Sequence, residues 1–165
     1  MTADSGEEPG HSPEARLAVL GLILPKVSPP LAAYLPAVRT GRYVYTAGQL
    51  PIVDGQLLAT GKVGADVSAG EASALARTCA LNALAAVASV TDGLSEVRRI
   101  VKVTGFVASA PDFTEQAQVI NGASELLIEV FGEAGRHARS AVGMAVLPLD
   151  APVEVELIAE VRDEE

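Results

Sequence analysis

The chain has 165 residues, 49% of them hydrophobic and only 4% aromatic with no tryptophan, which suits one domain with a core of Ala, Val, Leu and Ile. Its 12 basic against 21 acidic side chains leave a formal net charge of -9, the wrong sign for general attachment to a nucleic-acid backbone. The single Cys79 excludes an internal disulfide, no Cys/His cluster has zinc-site spacing, and no apolar run reaches the length of a membrane span.

Residues 1–13 are rich in Gly, Pro, Ser and acid and read as a tail. Ser12-Pro13-Glu14 then looks like a helix opening, with Ser12 as cap and Pro13 in the first turn, and the helix stops near Gly21. The apolar stretch 17–24 follows Glu7, Glu8 and Glu14 without a basic lead, unlike a signal peptide. A cytoplasmic protein with neither a membrane nor a nucleic-acid partner is expected.

Residues 43–49 are dense in β-branched and aromatic side chains and read as a strand, with Asp54-Gly55 turning it into a hairpin with 56–60. The Ala- and Leu-rich stretch 67–90 is a helix with Leu75, Cys79, Asn82, Ala86 and Val90 near one stripe, and Ser68 and Glu71 spaced as a capping box. A strand over 99–107 follows, then a helix from Pro111-Asp112 to about Phe131, ended by Gly132 and Gly135. Two further strands, 140–146 and 153–161, are separated by a Pro-containing connection, which makes an α+β chain.

Nucleophile elbows, Walker loops and dinucleotide fingerprints are absent, so hydride transfer, nucleotide hydrolysis and serine-esterase chemistry lose their usual support. His11 lies in the tail and His137 beside Arg136; both read as exposed loop histidines. Cys79 reads as a small core hydrophobe, and Asn82 as a partner for a neighbouring loop. Arg98, Arg99 and Lys102 read as a solvated strand entry rather than a basic patch.

Arg139 stands where a Gly-rich connection enters a strand of small residues. A guanidinium there could clamp a carboxylate through two parallel hydrogen bonds, although position alone favours a surface arginine paired with an acid. Glu154 and Glu156 alternate with Val153, Val155 and Leu157, so the carboxylates share one face. Near a cleft, one could act as a general base; pattern alone favours solvated strand acids.

Tyr34, Thr-Ala-Gly-Gln-Leu-Pro (46–51), Ile120-Asn121, Ala-Arg-Ser (138–140) and Val-Glu-Val-Glu (153–156) together resemble the RidA/YjgF reactive intermediate deaminase proteins, in one colinear order over residues 31–161. The resemblance implies a chorismate-mutase-like α+β fold, a mixed β-sheet with two helices packed on one face, in a single domain over 14–165. It implies a homotrimer with ligand clefts between subunits, and hydrolysis of enamine and imine intermediates to 2-oxo acids and ammonia without metal or organic cofactor. By position, Arg139 matches the arginine that binds the substrate carboxylate, and Glu154 the acid that positions or activates water. Tyr34 and Asn121 match cleft-lining residues, and Gly48 lies in the segment whose backbone approaches the ligand. Ala47 stands where many members carry Ser, Ala141 where the best-studied deaminases have Cys, and the segment 38–42 also diverges.

The resemblance promotes Arg139 from surface arginine to anchor for a small carboxylate. The leading expectation is a hydrolase similar to 2-iminobutanoate/2-iminopropanoate deaminases. The alternative is a non-catalytic 2-oxo acid binding or sensor protein, toward which Ala47 and Ala141 point. Endoribonuclease activity, assigned to some members, is opposed by the acidity and the lack of stacking aromatics. In a simple hairpin of the last two strands, Arg139 and Glu154 would sit ~15 Å apart along the strand direction. Convergence therefore needs another strand order or a neighbouring subunit.

Overall fold

Ser12 and Pro13 open the first helix, α1 (Pro13–Val19), rather than closing a tail: the Ser12 hydroxyl accepts from the Ala15 N–H at 3.1 Å. The structure, a computed structural model, describes residues 12–27 and 33–163, so the rest of the expected tail lies outside the described residues. Glu14 on α1 accepts from the backbone N–H groups of Leu94 (2.8 Å) and Ser95 (3.2 Å) and from the Ser95 hydroxyl (2.9 Å). Partial burial alone would raise its pKa, but these hydrogen bonds prevail and lower it.

The remaining elements are β1 (Ala37–Thr40), β2 (Tyr43–Thr46), β3 (Ile52–Val53), β4 (Gln56–Leu57), α2 (Ala69–Ala88), β5 (Val97–Ala108), α3 (Gln116–Phe131), β6 (Ala138–Met144) and β7 (Val153–Val161). Five strands form one mixed sheet in the order β1-β2-β7-β5-β6, in which β6 runs parallel to β5 and the other neighbours are antiparallel. The last two strands are thus no hairpin: they flank β5 on opposite sides. The two long helices cover one face, and α1 packs against α3. The core between the layers is aliphatic, with Leu84, Ile100, Ile120, Leu126 and Leu127 fully buried, in keeping with the composition.

Several boundaries differ from expectation for visible reasons. β1 was not anticipated; its four residues join β2 through a two-residue loop in which Gly41 takes φ 55°. The expected strand 43–49 is continuous only to Thr46, whose hydroxyl accepts from the Leu157 N–H at 3.0 Å; after a break, Gln49 pairs again with Val155 through backbone hydrogen bonds of 2.8 and 3.0 Å. The hairpin at Asp54-Gly55 is real, both residues having positive φ, but its arms are β3 and β4 rather than β2. Asn82 ties this hairpin to α2 by donating to the carbonyls of Leu50 (3.0 Å) and Ile52 (2.9 Å). The second long helix starts a turn later than Pro111-Asp112, because Phe113 packs against Gly64 and its N–H turns back to Ala110. The capping box at Ser68 and Glu71 forms as expected, with both reciprocal bonds made.

The contact of α2 with α3 depends on Gly122. A Cβ there would lie 2.0 Å from the Ser73 carbonyl oxygen, a backbone atom that cannot swing aside. Gly122→Ala is expected to destabilise the fold by about 1–3 kcal/mol through overpacking, read as a lower urea midpoint with an unchanged slope. A variant as stable as the parent would show that the helices separate freely.

Candidate functional site: an arginine pocket at the sheet edge

Strand order decides where Arg139 points. On β6 it lies beside Val103 of β5, which is fully buried between sheet and helices, so the Arg139 side chain shares the helix-covered face and reaches α3. Its Nη1 donates to Asn121 Oδ1 at 2.8 Å and Ser124 Oγ at 3.2 Å, and its Nη2 donates to the Ala117 carbonyl at 3.2 Å. Ala117, Asn121 and Ser124 are spaced by four and three along α3, which puts them on one helical face. Of the five guanidinium N–H groups, the three bonds leave Nε–H and one Nη2–H, a pair matched to a planar carboxylate.

His137 completes the arrangement. Its Nδ1 lies 2.6 Å from the Gly135 carbonyl, which can only accept, so Nδ1 carries the proton and Nε2 accepts from the Ser124 hydroxyl at 2.9 Å. The Ser124 oxygen then presents its lone pairs to Arg139. A one-way chain of donors thus runs from Arg139 through Ser124 and His137 to the Gly135 carbonyl. The surrounding pocket, about 290 Å³, is also lined by Ile128 and Arg136.

Burial lowers the His137 pKa from 6.5; the hydrogen bond to Gly135 opposes this, and the positive charge of Arg139 adds to the lowering. Between that lowered value and 6.5 the unfolded chain binds more protons than the folded one. This stabilising contribution is therefore full above 6.5 and lost as pH falls through the folded value. A His137→Gln variant should lose part of the drop in urea midpoint between pH 7.5 and 5.5; an identical drop would mean that His137 does not titrate in that window.

Glu154 lies on the other face. It sits beside Phe106, three residues along β5 from Val103, so its side chain points to the sheet face that the helices leave open. The carboxylate occupies the space in front of Gly48, where a Cβ would come within 1.8 Å of Glu154 Oε1. Gly48 thus makes room for the acid. Burial, and secondarily the charge of Glu156, raise the Glu154 pKa above 4.5. The chain carrying Tyr34 runs beside Ala47, whose N–H donates to the Pro36 carbonyl at 2.8 Å. Tyr34, 45% exposed, therefore belongs with Gly48, at the β1 side of the sheet and away from Arg139.

The expected site residues form two groups: Asn121 and Arg139 at the β6 edge, joined by Ser124 and His137, and Gly48 with Glu154 on the open face, with Tyr34 at that end. Two strand spacings across and three residues along separate Arg139 from Glu154 by roughly 14 Å, beyond the reach of one small ligand. Ser124 was missed by sequence reasoning, although its i+3 spacing from Asn121 was a usable signal. His137 was taken for an exposed loop residue, and only the folded backbone brings it to Ser124. Ala141 lies two residues from Arg139 on the same face and packs against the core. Cys79 is fully buried, its thiol pKa pushed well up by burial and by Glu154, a structural position. The sequence cluster Arg98, Arg99 and Lys102 disperses: Arg99 reaches the Arg136 carbonyl (3.5 Å) and Lys102 reaches Ser140 (3.1 Å). Among the described residues no His, Cys, Asp and Glu group is placed to hold a metal ion, and no helix is long and apolar enough to cross a membrane.

A mixed sheet in this strand order, with two long helices on one face, defines a YjgF/chorismate-mutase-like protein. A model of the family described as "YjgF/chorismate mutase-like, putative endoribonuclease" matches residues 14–161, and the chain belongs to this family. The chain is 48% identical to the protein Atu1372 of Agrobacterium tumefaciens, described as of unknown function; the structures superpose with a TM-score of 0.83 over 91% of this chain and 93% of that one. It is 38% identical to a protein of Shewanella oneidensis MR-1 described as a "putative endoribonuclease" (TM-score 0.88, 91% and 99% covered). It is 28% identical to Escherichia coli TdcF, whose crystal structure holds serine (TM-score 0.59, 84% and 93% covered).

Proposed function

We propose that the chain hydrolyses small 2-imino acids to 2-oxo acids and ammonia in a cleft that a second copy completes. The observation that carries this reading is the Arg139 guanidinium, fixed by three hydrogen bonds to α3 with a two-donor fork left over. The serine bound by TdcF is itself an α-amino carboxylate, the same head group. In the proposed reaction Arg139 holds the carboxylate and Glu154 takes a proton from water as the oxygen bonds to the imine carbon. That proton passes to nitrogen to give the carbinolamine; the carboxylate then moves the remaining hydroxyl proton to nitrogen as the C–N bond breaks, and ammonia leaves as the C=O forms. No covalent intermediate with the protein is needed.

Because Arg139 and Glu154 occupy different faces, the cleft requires the β6 edge of one copy against the open sheet face of the next. That face carries Val38, Tyr43, Tyr45, Val142 and Met144, all substantially exposed. A contact between two different patches forms a ring when its rotation closes, and a closed homotrimer with three clefts is the assembly proposed. The test is ammonia release from imines generated in situ, together with the mass of the assembly in solution. Acceleration by a trimer supports the reading; absence of acceleration with several imines overturns it. Tight 2-oxo acid binding without turnover would select a binding or sensor role instead, a reading favoured by the apolar Ala47 and Ala141.

A further inference from the structure

We propose that Ser124 and His137 are positioning residues for Arg139: with Asn121 and the Ala117 carbonyl they hold its guanidinium by uncharged acceptors, leaving its whole charge to select an anionic head group. This deepens the carboxylate-anchor reading above and rests on it.

The choice of acceptors is what calls for an explanation. The chain carries 21 acidic side chains against 12 basic ones, yet among the described residues no carboxylate lies within ion-pair distance of Arg139. Glu129 pairs with Arg77 and Glu133 with Arg136, while Glu125, four residues along α3 from Asn121, stays outside that distance. The acceptors that Arg139 does meet are Asn121 Oδ1, Ser124 Oγ and the Ala117 carbonyl, all neutral. A carboxylate in their place would bind the guanidinium more strongly but cancel the charge that an anionic ligand needs.

Ser124 is the acceptor whose direction is not fixed by its own bonding. A carbonyl oxygen can only accept, whereas a hydroxyl also donates, and a serine inside a helix can turn its proton to the carbonyl four residues back. The bond to His137 Nε2 at 2.9 Å takes that proton and holds the oxygen where it meets Arg139. His137 can accept because its Nδ1 proton is committed to the Gly135 carbonyl at 2.6 Å. The turn that leads the chain into β6 thus sets the acceptor as well. Arg136 and Arg139 on the same segment, and Lys102 beside Ala138 on β5, surround the ring with positive charge, which favours its neutral form.

Calorimetric titration of the full chain with 2-oxobutanoate at neutral pH tests this, with thermal melts confirming that each variant is folded. Binding is expected to weaken about tenfold in Ser124→Ala and in His137→Leu. The double variant should bind no more weakly than Ser124→Ala, since His137 acts through Ser124; a general structural contribution would add instead. His137→Gln, whose amide offers one acceptor and one donor, should bind within about twofold of the parent. Asn121→Asp keeps the shape and the acceptor but neutralises Arg139, and should bind about tenfold more weakly or worse. The inference is overturned if Ser124→Ala and His137→Leu bind like the parent, if their effects add, if His137→Gln is no better than His137→Leu, or if Asn121→Asp binds as tightly as the parent. Any of these, with binding still lost in Arg139→Ala, leaves the anchor reading standing. Binding that survives Arg139→Ala, or no saturable binding by the parent, overturns the anchor reading and this inference together.

Discussion

Replacing Arg139 by Ala is expected to lower kcat/KM for 2-imino acid hydrolysis by roughly 10²–10⁴-fold. A hydrogen bond to a charged group contributes about 1.5–3 kcal/mol, the ligand loses two of them, and each 1.4 kcal/mol is a factor of ten. Orientation is lost as well, since the same fork aligns the imine carbon with the attacking water. Arg139→Lys should not restore the rate. An ammonium has three donors on one atom and cannot hold Asn121, Ser124 and Ala117 while presenting a planar pair to the ligand. Thermal melts separate this effect from unfolding, and a folded Arg139→Ala protein with the parental rate would remove Arg139 as the anchor.

Glu154→Gln is expected to reduce kcat by about 10²–10⁴-fold while barely changing KM, the pattern for a lost general base. Burial and Glu156 raise the Glu154 pKa, so the parental rate should climb with pH through a value above the ordinary 4.5 and then level off. The Gln variant should lack that limb. The same shift has an opposite consequence for stability. Between 4.5 and the raised value the folded chain binds more protons than the unfolded one, so this contribution is full below 4.5 and lost as pH rises through the folded pKa. Glu154→Gln should therefore be at least as stable as the parent at neutral pH. A rate preserved in the variant would place the base elsewhere.

These two variants together test where the cleft lies. If Arg139 and Glu154 meet across subunits, co-assembly of the two inactive proteins should create some clefts with both intact, roughly a quarter under random mixing. If each chain held a complete site, the mixture would stay inactive. Recovery of activity after joint refolding thus reports directly on the shared cleft.

Features set by short-range chemistry were legible in the sequence. The cap at Ser12, the capping box of Ser68 with Glu71 and the turn at Asp54-Gly55 each depend on residues within about four positions of one another. The alternation in 153–161 likewise placed Glu154 and Glu156 together on one face. The colinear motifs carried the family and its fold, and pointed to Arg139 and Asn121, which do meet at 2.8 Å. Only the tertiary structure could decide what lies between distant segments. Insertion of β5 between β6 and β7 turns Arg139 and Glu154 to opposite faces. The helical layer brings His137 to Ser124. Arg139 was thus identifiable as a candidate anchor from its motif, but strand order, which no local propensity encodes, is what separates it from Glu154 within one chain.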